Sequence, residues 1–449
     1  MSMRIYGIAA LIVCTFGAAN LRGDEISELK QLLLEQKKQI EVLTTRISEL
    51  EKKQGSLEGK AYALDIRADE QEEKALALDT RIDETAKAAS ASGGEIPVPE
   101  SIKWAQAFDV GGDFRFRYEN VDDEGKSDKD DKNAIRARLN ITAEVNDEVK
   151  FKSRIAAGSD DPVSANNTLG DDFASDGVWI DRAYLDYNPV WADEFSLWAG
   201  KFGTPFYVPG GTQVMWDSDL NPEGGALKYE TKLSDASTLF AGVGGYWVEK
   251  NSSDADVGMF GGQLGLATEL FDGDKLTFGG GYYDYGNIQG SDLNAVSLKN
   301  AVSLKESYNT LDGGGNFAYD YNIAEGFANY DFTLFNRPGS LYGTYLVNTA
   351  SGVEEDTAWA MGVKTGKVTP KFGSWQLGYE YRDTDKDAVV SAFAESDFAG
   401  GKTDSRGHKV SLKYGISKNF SGAVSLFQNE YGINDTDYNR IQLDFIGKF

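Results

Sequence analysis

The side chains able to do chemistry in this sequence are charged rather than nucleophilic or metal-ligating. The 449 residues include one His and one Cys, too few for a zinc site of the usual ligand types. His408, the only imidazole, falls at an expected strand start, which sets aside a Ser-His hydrolase. What stands out instead are cations spaced two apart: Arg115 and Arg117, Arg136 and Arg138, then Lys150, Lys152 and Arg154, with Arg182 further on. A later connection, 203–224, carries Asp217, Asp219 and Glu223 among Pro205, Pro209 and Pro222. Cations facing carboxylates act on charge; they attract, orient or reject ions without any covalent step. Asp217-x-Asp219-x-Asn221 begins like a calcium loop, but Lys228 stands where that loop needs its Glu, so an EF-hand is rejected. Neither a metal nor a cofactor is expected. The acidic run around Asp122, Asp123, Glu124, Asp128, Asp130 and Asp131 reads first as a solvated loop.

The spacing of two places these cations on one face of β-strands. Phe108, Val110, Phe114, Phe116 and Tyr118 share a face opposite Asp109, Asp113, Arg115 and Arg117. Ile135, Ala137, Leu139, Ile141, Ala143 and Val145 likewise oppose Arg136, Arg138, Asn140, Thr142 and Glu144. The same alternation recurs to Ile441, Leu443, Phe445 and Phe449. Connections alternate in length. Short ones fall at 146–148, 188–193, 234–237, 271–274, 336–340, 367–373 and 417–419. Long ones lie near 119–133, 159–177, 203–224, 248–256, 286–326, 348–357, 383–407 and 429–439. Seven short and eight long connections join about sixteen antiparallel strands. All seven prolines of 108–449 fall in connections, as strand ladders demand. A soluble β-sandwich would alternate similarly, but it has no reason to segregate its long loops. The expectation is an all-β transmembrane barrel ending on Phe449. The duplicated NAVSLK at 294–299 and 300–305 sits in the longest connection.

What precedes the barrel differs in period. Residues 1–23 combine a basic start, the apolar run Ile5–Phe16 and small residues after it, the pattern of a secretory signal peptide. Its twelve apolar-run residues would make only about 18 Å of helix, too short to span. Residues 24–90 repeat apolar positions every 3 and 4 residues, through Ile26, Leu33, Ile40 and Ile47 with Leu29, Leu43, Leu50 and Leu57. That is the seam of an α-helical coiled coil, which only association can bury. Residues 91–107, with Gly93, Gly94, Pro97 and Pro99, read as a linker, and 108–449 as the barrel. The net charge of −26 argues against a nucleic-acid partner.

GGDFRFRYE (111–119), AIRARLNI (134–141), DRAYLDY (181–187), GKFGTPFYVPG (200–210) and WDSDLNPEG (216–224) resemble the putative-porin family of bacterial outer membranes. Members of that family pair a signal peptide and a periplasmic coiled coil with a barrel. The resemblance implies a non-enzymatic passive channel for small hydrophilic solutes or ions, a homotrimer embedded in outer-membrane lipid of a Gram-negative-type cell. Phosphate specificity is not implied. A second reading is a structural tether, whose rod spans the periplasm to contact the cell wall while the barrel only anchors it. For the channel, the expected constriction sets Arg115, Arg117, Arg136, Arg138, Arg154 and Arg182 against Asp217, Asp219 and Glu223 of an inward-folded 203–224 loop.

Overall fold

The computed structural model describes residues 105–449 except 128, 159–160, 252–254, 271–272 and 292–308, together with residues 37 and 38. The signal peptide, nearly all of the coiled coil and linker, and the NAVSLK duplication lie outside the described residues.

Sixteen strands form one closed antiparallel barrel: β1 (Phe108–Asp123), β2 (Asp130–Glu144), β3 (Val149–Ala157), β4 (Val178–Tyr187), β5 (Phe195–Lys201), β6 (Glu223–Ser234), β7 (Ser237–Glu249), β8 (Val257–Glu269), β9 (Lys275–Gly286), β10 (Tyr321–Leu334), β11 (Arg337–Asn348), β12 (Thr357–Gly366), β13 (Trp375–Thr384), β14 (Ser405–Ser417), β15 (Phe420–Tyr431) and β16 (Thr436–Lys448). Each pairs with its neighbours in sequence, and β1 pairs with β16 from Asp113↔Lys448 to Asp123↔Tyr438. A two-residue bridge, Asn167–Thr168, adds to the upper part of β2.

The burial pattern is inverted relative to a soluble sheet. Phe114, Leu185, Leu197, Val243, Phe260, Leu264 and Met361 are exposed, whereas Arg117, Glu119, Arg136, Glu380, Arg382 and Gln442 are buried. A sandwich would bury the first set, so this alternation belongs to a barrel with lipid outside and a polar interior. Aromatic pairs rim the short-turn end, with Phe195–Tyr229 at 4.8 Å and Phe420–Phe445 at 6.4 Å between ring centroids. Near the opposite end, Trp359 lies 5.3 Å from Tyr381, and His408 packs on Tyr381 at 5.0 Å. Phe449 closes the ladder. Its backbone exchanges hydrogen bonds of 2.9 and 3.1 Å with Gly112. A Cβ on Gly112 would meet the Phe449 ring at 2.6 Å and the Arg138 carbonyl at 2.4 Å.

Three expectations about connections are corrected. The stretches 119–133 and 429–439 are mostly strand, leaving only 124–129 and 432–435 between strands. Their charged residues pair inside the barrel, as with Arg440 on Glu119 at 2.6 Å, so their polarity does not mark a loop. Pro338 lies within β11, opposite Thr333. It follows the turn residues Phe335 and Asn336, both at positive φ, and a strand's first residues tolerate a missing N–H.

The interior is not uniformly wet. Long connections fold inward, chiefly 202–222 and 385–404, and Ile288 and Phe317 of the β9–β10 connection join the same core. Phe202, Phe206, Val214, Met215 and Trp216 from the first join Ala388, Val389 and Val390 from the second in one core. Its wall side is Met259, Tyr283, Tyr285, Tyr321, Ile323 and Leu346 from β8–β11, all essentially inaccessible. The wall is shaped for this: a Cβ at Gly261 would come within 3.0 Å of the Phe206 ring. Gly210, at φ +58°, sits directly against the Tyr342 ring, where any side chain would collide. The open space is therefore displaced toward β1–β3 and β12–β16.

Candidate functional site

That space is a cavity of about 550 Å³ lined by nine Lys or Arg and seven Asp or Glu side chains. Four parts build it: the arginine wall of β1–β3, the tips of the two inward loops, Val163, Ser164 and Asn166 of the β3–β4 connection, and the wall of β12–β16. Arg115 and Arg117 point inward because the aromatic residues between them take the outer face. The register sets Arg115 beside Arg136 and Asp113 beside Arg138.

The carboxylates interleave with the cations rather than facing them across an open gap. Arg136 donates to Asp113 at 3.1 Å and to Asp219 at 3.5 Å. Arg138 donates to Asp113 at 2.9 Å and to Asp219 at 3.4 Å. Asp219 thus meets two of the arginines expected opposite it. Arg154 pairs with Asp181, and Arg182 donates to Asn221 Oδ1 at 2.6 Å. Asn221 in turn donates to Asp181 and to the Asp219 carbonyl, both at 2.7 Å. Arg154 and Arg182 therefore hold the base of the inward loop, with Arg154 also on the cavity surface. Among the described residues Arg115 makes one side-chain hydrogen bond, to Asn166 at 2.5 Å.

Two expected constriction residues, Arg182 and Glu223, are not among the residues that line the cavity. Glu223 lies opposite Lys201 in the β5–β6 ladder and pairs with it at 2.9 Å. Both share parity with the exposed Leu197 and Leu227, so Glu223 faces outward. Asp217 lines the cavity as expected, but its carboxylate bonds to the second loop rather than to the arginine wall. It accepts from the Ser396 amide at 3.1 Å and the Asp219 amide at 2.7 Å. Burial, with Asp219 and Glu395 nearby, pushes its carboxyl up to about 8 despite those two amides. Gln213 and Glu395 strengthen the same joint, Gln213 donating to the Glu395 carboxylate at 3.2 Å.

The sequence reading missed the second loop's part in the site. Asp397 bridges Arg117 and Arg440, each at 3.2 Å. Burial would raise its carboxyl, but Arg440 and Arg117 hold it well below the usual carboxylate range. Glu395 accepts from Arg382 at 2.7 Å and pairs with Lys409. Arg382 also reaches Glu380 at 2.8 Å. A signal was present: Ala388–Phe398 contains Val389, Val390, Phe393 and Phe398, more apolar surface than a wet loop carries. The expected acidic surface loop also dissolves in part. Asp123 is buried, accepting from Tyr431 at 2.5 Å, and Asp131 accepts from Asn120 at 2.6 Å.

Comparison with known proteins agrees with this geometry. Residues 123–316 and 310–449 match the profile of the family described as "Putative porin". No curated protein matches the sequence. Among solved structures, the high-pH form of Pseudomonas putida OprB aligns with a TM-score of 0.52 and 11% identity, over 77% of this chain and 95% of that one. OmpT lacking loop L8, an outer membrane protein of Vibrio cholerae, aligns at 0.46 and 14%, over 76% and 100%. A mutant Rh. blastica porin aligns at 0.42 and 15%, over 76% and 100%. At these identities the OprB likeness speaks for the fold, while the family rests on the profile match. A closed sixteen-stranded barrel, a charged lumen and a profile spanning nearly all of it identify the chain as a member of the putative-porin family, an outer-membrane channel for passive diffusion of solutes.

Proposed function

We propose that small hydrophilic solutes and ions cross this barrel through an eccentric bore between the arginine wall of β1–β3 and the wall of β12–β16. In this reading Asp219, Glu395 and Asp397 of the inward loops, with the cations they meet, set the charge preference. The observation that carries it is Asp219, a loop carboxylate brought to Arg136 and Arg138 at the edge of a polar cavity. Such a surface repels apolar solutes and acts on charge within a Debye length. Single-channel recording of the purified protein in planar bilayers tests it, with reversal potentials under a KCl gradient. Open, ohmic steps are expected.

The tether remains the second reading, because an apolar core occupies one side of the lumen. It predicts a sealed barrel and no steps.

We further read the assembly as a homotrimer with its rod in the periplasm. Strand β5 has seven residues, which at the usual tilt rise about 18 Å, less than an apolar band of about 25 Å. The Lys201–Glu223 pair crowns that low wall on its outer side. Charges there cost about 2–4 kcal/mol near the midplane if lipid covers them, so another copy is the better cover. Copies carrying Cys at Leu197, labelled there with a thiol-reactive photo-cross-linker and illuminated in native membranes, should give covalent trimers; monomers only would refute it.

A further inference from the structure

The cations around the cavity are of two kinds. Arg117, Arg136, Arg138, Arg154 and Lys409 each have a carboxylate within a salt-bridge distance. Arg115, Lys364, Lys413 and Lys448 have none among the described residues. Lys364 is engaged otherwise, donating to the Gly210 carbonyl of the inward loop. Among the described residues Arg115 bonds to Asn166 alone, and its buried Nε has no partner. Lys413 and Lys448 make no side-chain hydrogen bond among the described residues, yet both line the cavity.

These free cations share one sector. Strands β14, β15, β16 and β1 are consecutive around the closed barrel. Lys413 stands opposite Ala423, Ala423 opposite Asp444, and Lys448 opposite Asp113. The nearby acids are already committed: Asp444 to Arg117, and Asp113 to Arg136 and Arg138. The ladder row between the two lysines runs Gly415, Ser421, Ile446 and Arg115, so Ile446 is the bulky side chain between them and Arg115 lies in the same row.

Resting on the channel reading above, we propose that Lys413, Lys448 and Arg115 form an anion station on the wall of the bore. The ligand class is a small dianionic oxyanion, such as sulfate or a short dicarboxylate. Two ammonium groups and one guanidinium edge offer charge-assisted donors that no carboxylate among the described residues pairs. A monovalent anion matches only part of that charge, so a dianion is held longer than chloride. The paired cations of the arginine wall lack this residual demand.

The test is single-channel recording in about 0.1 M KCl, with potassium sulfate added at constant ionic strength, and malonate in a parallel arm. Wild type should show reversible reduction of current by both dianions. The K413Q/K448Q variant should keep its conductance steps while its half-blocking concentration rises at least about ten-fold. The K413R/K448R variant should retain the block. A conducting wild type indifferent to both dianions overturns the station, as does a K413Q/K448Q channel blocked equally well. A wild type without steps overturns the channel reading itself, and the station with it.

Discussion

Replacing Asp219 with Asn removes one negative charge from the edge of the bore while keeping the side chain's size. Arg136 and Arg138 keep Asp113 as a partner, so the wall should hold its shape and only the charge changes. The charged residues around the cavity are nine basic and seven acidic, and the substitution raises that excess by one. For an ion passing about 7 Å away, one elementary charge in water is worth about 0.6 kcal/mol. Screening at 0.1 M salt halves this to about 0.3 kcal/mol. The change acts with opposite sign on anions and cations, so their permeability ratio should move about threefold toward anions. At 1 M salt, where the screening length is about 3 Å, the shift should shrink to about 1.2-fold. Reversal potentials under a tenfold KCl gradient read both quantities. No shift at low salt would refute the placement of Asp219 beside the ion path. A shift of equal size at high salt would refute the electrostatic explanation.

Three further outcomes follow from the same contacts. Arg382→Ala strands Glu380 and Glu395 without their shared guanidinium, and should destabilise by about 3–5 kcal/mol, read as a lower urea midpoint and earlier proteolysis of the 385–404 loop. Asp217 is raised from 3.8 to about 8, so the docked loop pair holds a proton that a released pair gives up. Docking is then strongest below about pH 4, weakens through the window to pH 8 and stays weak above it; open-channel noise should grow from about pH 5 to pH 8 and level off above it, and pH-independent noise would contradict it. Gly112→Val drives a side chain into the Phe449 ring and the Arg138 carbonyl, and should slow barrel closure, seen as loss of the heat-modifiable band on a denaturing gel, whereas normal closure would show that the Phe449 contact is dispensable.

The parts of this molecule legible in its sequence are those governed by a strict period. In β1, outward Phe114 and Phe116 alternate with inward Arg115 and Arg117, and a hairpin neighbour with the same alternation must bring Arg136 alongside. Glu223 escaped because face depends on register, and one residue's shift moves a side chain from lumen to lipid; only the pairing with Lys201 fixes it. Asp217 and Asp219 are two apart in a connection, where no period says which turns to the wall and which to a second loop. Glu119 and Asp123 looked like loop residues because the strands run on past the apolar band, and polar pairing there resembles solvation. The inward fold of 385–404 was written in Val389, Val390 and Phe393, but their cover comes from Tyr285, Ile288 and Phe317, more than 65 residues upstream in the chain.

The packed side of the lumen separates two jobs that a simple barrel wall must share. Substitutions along β8–β11 alter an oil-filled buttress, so selection there is for fit and volume. Substitutions at cavity-facing positions of the other arc that hold neither loop nor ladder, such as Lys413 and Lys448, alter chiefly what a traveller meets. A lineage could therefore retune its diet of solutes by changing a handful of sites on one arc, leaving the circumference and the lipid contact untouched. For an engineer the same asymmetry suggests trimming the loops as a way to change the aperture without redesigning a single strand.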